Sequence, residues 1–222
     1  MWDWNGTLLA DTALTARAEE VALAAVGLSV SISVERWREV SDRPVSAAIQ
    51  RLVGRELSSD ELATEGRAWL SAYLAGLGDV GLAPDAGEAL RLVRDAGIPQ
   101  SIVSMHPESE VRAHAAALGV ADCFDQIVGS ASDYDSSQPF VKATLIADLS
   151  ARLSVPTADM VMIGDMLDDA EAARRAGARA VLVSVGDMSP RRLADNGFPV
   201  CDGLVDAVRC ALGMAPADAA AG

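Results

Sequence analysis

From residue 98 onward, short apolar runs alternate with amphipathic ones, and this rhythm limits the fold more than any other feature of the chain. IPQSIVS (98–104), FDQIVGS (124–130), DMVMIGD (159–165) and ARAVLVSVG (178–186) read as strands. ESEVRAHAAALGV (108–120), VKATLIADLSARL (141–153), DDAEAARRAGA (168–178) and LVDAVRCALG (204–213) read as the helices between and after them. Strands that lack polar alternation and are separated by helices imply a parallel sheet covered on both faces. A helix at 85–96, ending at Gly97, precedes the series, and residues 1–4 read as the end of one more strand.

Residues 12–77 break the rhythm. They carry apolar residues at helical spacing throughout, with Gly27 closing one helix and Ser58-Ser59 with Glu61 opening another. GDVGLAPDAG (78–87) is a linker by its glycine and proline content. The expected architecture is α/β, a doubly wound parallel sheet with an inserted helical cap. Residues 1–11 and 82–213 form the core, 12–81 the cap, and 214–222 (MAPADAAAG) a loose tail.

In open α/β sheets, ligands bind beyond the C-terminal ends of the strands. Asp3, Ser104 and Asp165 end three of the expected strands, Asp168 and Asp169 follow in the next turn, and Lys142 opens a helix nearby. Carboxylates at two strand ends suit Mg²⁺, a hard cation that prefers oxygen ligands. Asp3 then serves as a nucleophile toward phosphorus, with an aspartyl-phosphate as its product. Ser104 and Lys142 bind phosphoryl oxygens, and backbone N–H groups around Gly6-Thr7 add to that cradle. Lys142 is the only lysine among 18 basic residues, which marks a place where a compact point charge is wanted over a planar fork.

These residues resemble the motifs of the haloacid dehalogenase-like (HAD) superfamily. DWNGTLLADT is similar to its first motif, Asp-x-Asp-Gly-Thr-Leu followed by Asp-Ser. SIVS resembles the second, Lys142 stands at the place of the third, and GDMLDDAEAARRAGA resembles the fourth, Gly-Asp-x-x-x-Asp. The likeness covers about residues 1–190, and LAPDAGEALRLVRDAGI points to the phosphoglycolate phosphatase-like branch with a helical cap. It implies Asp3 as nucleophile and metal ligand. Asp165 and Asp169 would be further Mg²⁺ ligands, with the backbone carbonyl of Asn5 among them. Ser104 and Lys142 would hold phosphate. The implied activity is hydrolysis of a small phosphorylated metabolite. In the cap, Arg43 has two readings, contact with an anionic substrate group or a plain surface arginine. His106 reads as a surface-loop histidine, and Trp2 and Trp4 as core and cap-facing packing.

Position 5 departs from the family pattern. Its phosphatases carry a second aspartate there, which protonates the leaving oxygen and then activates water. Asn5 has no proton to exchange at neutral pH, and losing such a group costs on the order of 10²–10⁴ in rate. Three outcomes stay open: a substrate with a good leaving group, a proton from substrate, cap or His106, or a catalytically impaired protein that binds a phosphorylated ligand in a regulatory role. Dehalogenases also lack the second aspartate but need no metal. The Schiff-base chemistry of phosphonoacetaldehyde hydrolases needs a cap lysine, which 12–81 does not contain.

A net charge of −14 argues against nucleic acid and anionic membrane as partners. No apolar stretch long enough for a membrane span appears, and no signal peptide. Cys123, Cys201 and Cys210 fit no metal site and read as reduced thiols of a cytoplasmic protein, monomeric or homodimeric. Only Met1 and Trp2 precede Asp3, so the first strand is short at its buried end, and the expectation is a natural start several residues upstream.

Overall fold

A computed structural model describes residues 1–130, 141–194 and 196–214. Apart from Met214, the tail expected at 214–222 lies outside the described residues.

Among the described residues, five parallel strands run through the sheet: β1 (Ser101–Pro107), β2 (Gln126–Ser130), β3 (Val161–Gly164), β4 (Arg179–Val183) and β5 (Val200–Cys201). The chain start lies between β1 and β3. Trp2 N–H donates to Ser101 O at 2.9 Å and Val103 N–H to Trp2 O at 2.9 Å. Asp3 N–H donates to Ile163 O at 2.8 Å and Ile163 N–H to Met1 O at 2.9 Å. Trp2 alone therefore bridges both neighbours, and the order across the sheet is β2, β1, Trp2, β3, β4, β5. Successive connections run outward in both directions from the chain start. The crevice beside Asp3 is thus the topological switch point where such sheets bind ligands.

Alternate side chains face opposite layers, as strand geometry requires. Ile102, Ile127, Ile163 and Val181 pack with Trp2 and Trp4 against α5 (Ala86–Asp95), α6 (Glu108–Ala117) and α10 (Leu204–Ala211). Val103, Val128, Met162 and Leu182 pack against α7 (Val141–Leu153) and α8 (Leu167–Ala176). Helices on both faces make this a doubly wound, Rossmann-like sheet. Both tryptophans are core residues. Trp4 turns its ring edge to His114 of α6 at 5.9 Å, which corrects the cap-facing reading.

Residues 12–76 form four helices: α1 (Thr12–Ala25), α2 (Val34–Val40), α3 (Val45–Val53) and α4 (Ser59–Gly76). α4 opens on the expected capping box. Glu61 N–H donates to Ser58 Oγ at 3.3 Å, and Ser58 N–H to Glu61 Oε2 at 2.8 Å. Trp37, Ile49, Leu52 and Leu23 gather in an apolar cluster distinct from those on the sheet. A second cluster, Leu14, Ala18 and Tyr73, joins α1 to α4.

The two connections to the sheet lie side by side. Ala10 N–H donates to Gly81 O at 3.0 Å and Ala83 N–H to Leu8 O at 2.8 Å. On the far side, Arg38 bonds Ser184 O, and Ser189 N–H donates to Arg38 O at 3.0 Å. Among the described residues, no helix is long and apolar enough to cross a membrane.

Candidate active site

Three buried aspartates meet at the switch point. Asp3 follows Trp2, Asp165 follows β3, and Asp169 sits in the first turn of α8. One carboxylate oxygen from each lies within 4.8 Å of the other two. Lys142, 5% exposed in the first turn of α7, donates to Asp3 Oδ1 at 2.7 Å and also to Asp169 Oδ1. Asp169 Oδ2 accepts Met166 N–H at 3.0 Å. Asp165 accepts the Thr7 hydroxyl at 3.0 Å and Asp187 N–H at 2.6 Å.

Glycines allow this closeness. Gly6 has φ +71°, and a Cβ there would stand 2.5 Å from Asp165 Oδ2. A Cβ on Gly186 would stand 2.2 Å from the same oxygen. Side chains at either position would push Asp165 out of the cluster.

Ser104 lies in β1 where its ladder with β2 shifts register, and not at the strand's end as expected. Its hydroxyl accepts His106 N–H at 3.1 Å and lines a cavity with Asp3, Lys142, Asn5 and Arg43. β1 continues to Pro107, so His106 also lines this cavity, its ring 5.6 Å from Tyr73. That corrects the surface-loop reading. Burial, with Arg43 and Lys142 adding to it, pushes His106 down to about 3, so its imidazole is neutral at physiological pH.

Gly6 and Thr7 behave differently from the expectation. Gly6 N–H donates to Asp11 Oδ1 at 2.7 Å, and Thr7 N–H lies 3.4 Å from Trp4 O. Neither residue is among those that line the cavity. Their donors are spent inside the protein, where they orient Asp11 and Asp165.

Asn5 is held firmly. Its Nδ2 donates to Asp11 Oδ2 and to Tyr73 Oη, both at 2.7 Å, and Tyr73 Oη donates to Asp11 Oδ2 at 2.6 Å. With Nδ2 committed to a carboxylate, Oδ1 is the amide atom left over. It is buried and has no hydrogen-bond partner among the described residues. Asp187, in the loop after β4, lines the same cavity and is 9% exposed. Asp11, Tyr73 and Asp187 were not among the expected site residues.

Negative charge is in excess here. Burial pushes Asp3 up to about 7 against the pull of Lys142, and Asp169 adds to the rise. Asp165 is raised by burial and then by Asp187, Asp169 and Asp3. Burial alone would lower Lys142, but Asp169 and Asp3 outweigh it and hold the ammonium charged. Three carboxylates against one lysine leave an oxygen-rich, anionic cluster, which suits a hard divalent cation. The donor set therefore fits Mg²⁺.

Comparisons with known proteins identify the family. A family model for haloacid dehalogenase-like hydrolases matches residues 1–177. The phosphoglycolate phosphatase of Pectobacterium atrosepticum is 27% identical over 190 residues, covering 83% of this chain and 79% of that protein. That of Shigella boydii is 23% identical over 183 residues, 78% of this chain and 70% of that protein. Among solved structures, a hydrolase from Pseudomonas syringae superposes with TM-score 0.73 at 19% identity, covering 97% of this chain and 98% of that one. CbbY from Rhodobacter sphaeroides in complex with phosphate gives TM-score 0.68 at 21% identity, covering 92% and 93%. An aspartate-to-asparagine mutant of CbbY was crystallised with xylulose-1,5-bisphosphate. The match over residues 1–177 and the shared fold place this chain in the haloacid dehalogenase-like hydrolase family.

Proposed function

We propose that this hydrolase is a Mg²⁺-dependent phosphatase for a small phosphorylated metabolite, working through an aspartyl-phosphate on Asp3. The observation that carries this reading is the buried Lys142–Asp3 pair beside Asp165 and Asp169, assembled at adjacent ends of one parallel sheet. The phosphoglycolate phosphatases among its relatives and the phosphate-bound structural neighbour support it. Asp3, Asp165 and Asp169 would hold the metal, with the Asn5 carbonyl. When bound, Mg²⁺ offsets the repulsion between Asp3 and the phosphate dianion.

The protein's own groups do the rest. A carboxylate oxygen of Asp3 forms a bond to phosphorus as the ester P–O bond breaks. Lys142 holds Asp3 in place and offsets charge on the phosphoryl oxygens. Ser104, whose oxygen already accepts His106 N–H, offers its own proton to one of those oxygens. Water then cleaves the aspartyl-phosphate and restores Asp3. Arg43, at the cavity's helical side, would meet an anionic part of the substrate. In this reading residues 12–81 act as a cap over the core, in a cytoplasmic enzyme.

Asn5 favours a second reading, a phospholigand-binding protein with little turnover. Its amide is tied to Asp11 and Tyr73 and has no proton to exchange. The test is steady-state hydrolysis of an aryl phosphate and a panel of alkyl phosphates with Mg²⁺. Turnover of the aryl ester that vanishes in Asp3→Ala supports the phosphatase. Tight Mg²⁺-dependent binding of phosphate esters with no turnover of any of them supports the second reading.

A further inference from the structure

Two acceptors on residues that line the cavity lack donors among the described residues. Among the described residues neither Asn5 Oδ1 nor Asp187 Oδ1, both buried, has a hydrogen bond, and both residues line the cavity that holds Asp3 and Lys142. The Asn5 amide is fixed in orientation, because reversing it would set its oxygen against Asp11 Oδ2. Asp187 is fixed from behind, since its own N–H is bonded to Asp165. Burial pushes the Asp187 carboxyl up, and the Thr12 hydroxyl, Arg43, the Trp37 indole and Arg38 beside it pull the other way. Even so, among the described residues Oδ1 meets no donor at bonding geometry, and Trp37 Nε1 has no acceptor. A buried acceptor left unpaired is destabilising, and more so when it is charged. Native sites carry such a cost where a ligand or water completes the bond.

From these two acceptors we infer that the substrate is a phosphate monoester bearing a hydrogen-bond donor, a hydroxyl or an ammonium, close to the ester oxygen. Asp187 and Asn5 receive that donor, and Asp187 determines specificity. This rests on the phosphatase reading of the site. It separates the protein's preferred substrate from a phosphate ester whose remaining group is a carboxylate alone, which has no donor to give. Arg43 still accommodates an anionic group elsewhere on the same molecule.

The test uses phosphonates, which bind as phosphate esters do but are not hydrolysed. Dissociation constants of 2-aminoethyl-, 2-hydroxyethyl- and ethylphosphonate are measured by calorimetry with Mg²⁺ on the full chain. The set is repeated for Asp187→Asn and Asp187→Ala. Wild type is expected to bind at least one donor-bearing compound roughly tenfold or more tightly than ethylphosphonate, the worth of one bond to a charged acceptor. Asp187→Ala should bring that ratio close to one. Asp187→Asn separates the two donors: it retains selectivity for a hydroxyl, which an amide oxygen still accepts, and loses it for an ammonium.

Equal binding of all three compounds by wild type would overturn the inference, as would a ratio unchanged in Asp187→Ala. If Asp187→Ala fails to fold, the wild-type ratio and the Asp187→Asn arm still decide. Hydrolysis is read separately on the matching esters. A protein that binds donor-bearing phosphonates selectively but hydrolyses nothing overturns the phosphatase reading and leaves the recognition intact.

Discussion

The molecule buries acids in two places and surrounds them differently. At the sheet edge, Asp3, Asp165 and Asp169 are met by Lys142, the Thr7 hydroxyl, and the N–H groups of Asp187 and Met166. Between α1 and α4, Glu19 is fully buried, and among the described residues neither of its carboxylate oxygens has a partner. Glu65, 6% exposed, is the one charged neighbour that raises it. Burial pushes Glu19 up to about 8 and Glu65 up to about 7. Burial raises Asp3 and Asp165 as well, but Lys142 on Asp3 and the Asp187 N–H on Asp165 pull against that rise. The glutamates are accommodated most cheaply as neutral acids. A buried acid thus points to chemistry where donors have been assembled around it, and to a pH-dependent cost where they have not.

The sharpest way to break this contrast is to remove one acid from each place. Asp3→Ala should lower kcat/KM on the order of 10⁴ or more, because it deletes the attacking atom. Glu19→Gln should leave kcat/KM near the wild-type value. Steady-state assays with Mg²⁺ on an aryl phosphate check both. A comparable collapse in Glu19→Gln would mean that the helical acids serve the reaction, and the contrast would fail.

Restoring an acid at position 5 comes next in size. Asn5→Asp should raise turnover of alkyl phosphates on the order of 10²–10⁴, the usual worth of a general acid–base group. Aryl phosphates, whose leaving groups need little protonation, should gain far less. The comparison of log kcat/KM against leaving-group pKa in the two proteins measures this. Equal gains on both ester classes would mean that Asn5 limits something other than proton transfer. The new carboxylate would also face Asp11, which burial and Asp187 already raise to about 6. Part of the gain is therefore expected only where Asp11 remains protonated.

Much of the first acid set can be read from residue order, and little of the second. Asp3, Asp165, Asp169 and Lys142 follow from strand ends and helix starts, because a parallel sheet brings the ends of its strands together whatever the loops do. Asp187 obeys the same rule, lying four residues beyond β4. The sequence does not single it out, because its approach depends on Gly186 packing against Asp165, a tertiary contact with no local signature. Tyr73 sits near the end of an 18-residue helix, and only the fold-back of α4 onto α1 brings it to Asn5. His106 reads as a loop residue from sequence because nothing local shows that β1 runs three residues past Ser104. Glu19 lies in a helix whose pattern, ARAEE, looks solvated. Which face of α1 meets α4 is set by packing that periodicity alone does not resolve.

The helical acids then make a stability prediction. An unfolded glutamate titrates near 4.5, whereas folded Glu19 titrates near 8. The folded chain therefore binds the extra proton between these values. Its stability is full below about pH 4.5 and erodes as pH rises toward 8, by on the order of 2–5 kcal/mol. Glu19→Gln removes this slope. Thermal melts at pH 5 and pH 8.5 should show the variant gaining on wild type at the higher pH. A difference between the two proteins that stays constant with pH would mean that Glu19 keeps its ordinary pKa in the fold.

Glu65→Gln should have a smaller effect of the same sign, confined to the window from 4.5 to about 7. Its value lies in the cycle with Glu19→Gln. Because Glu65 is part of what raises Glu19, removing it lowers the Glu19 pKa and shortens that window. At pH 8.5 the double variant should therefore gain less stability than the sum of the singles, by roughly 0.5–3 kcal/mol if the two carboxylates repel across the α1–α4 contact. At pH 5, where both acids are protonated in the fold, the interaction should shrink toward zero. An interaction that is the same at both pH values would assign it to packing, and the two glutamates would then be neighbours without being an electrostatic pair.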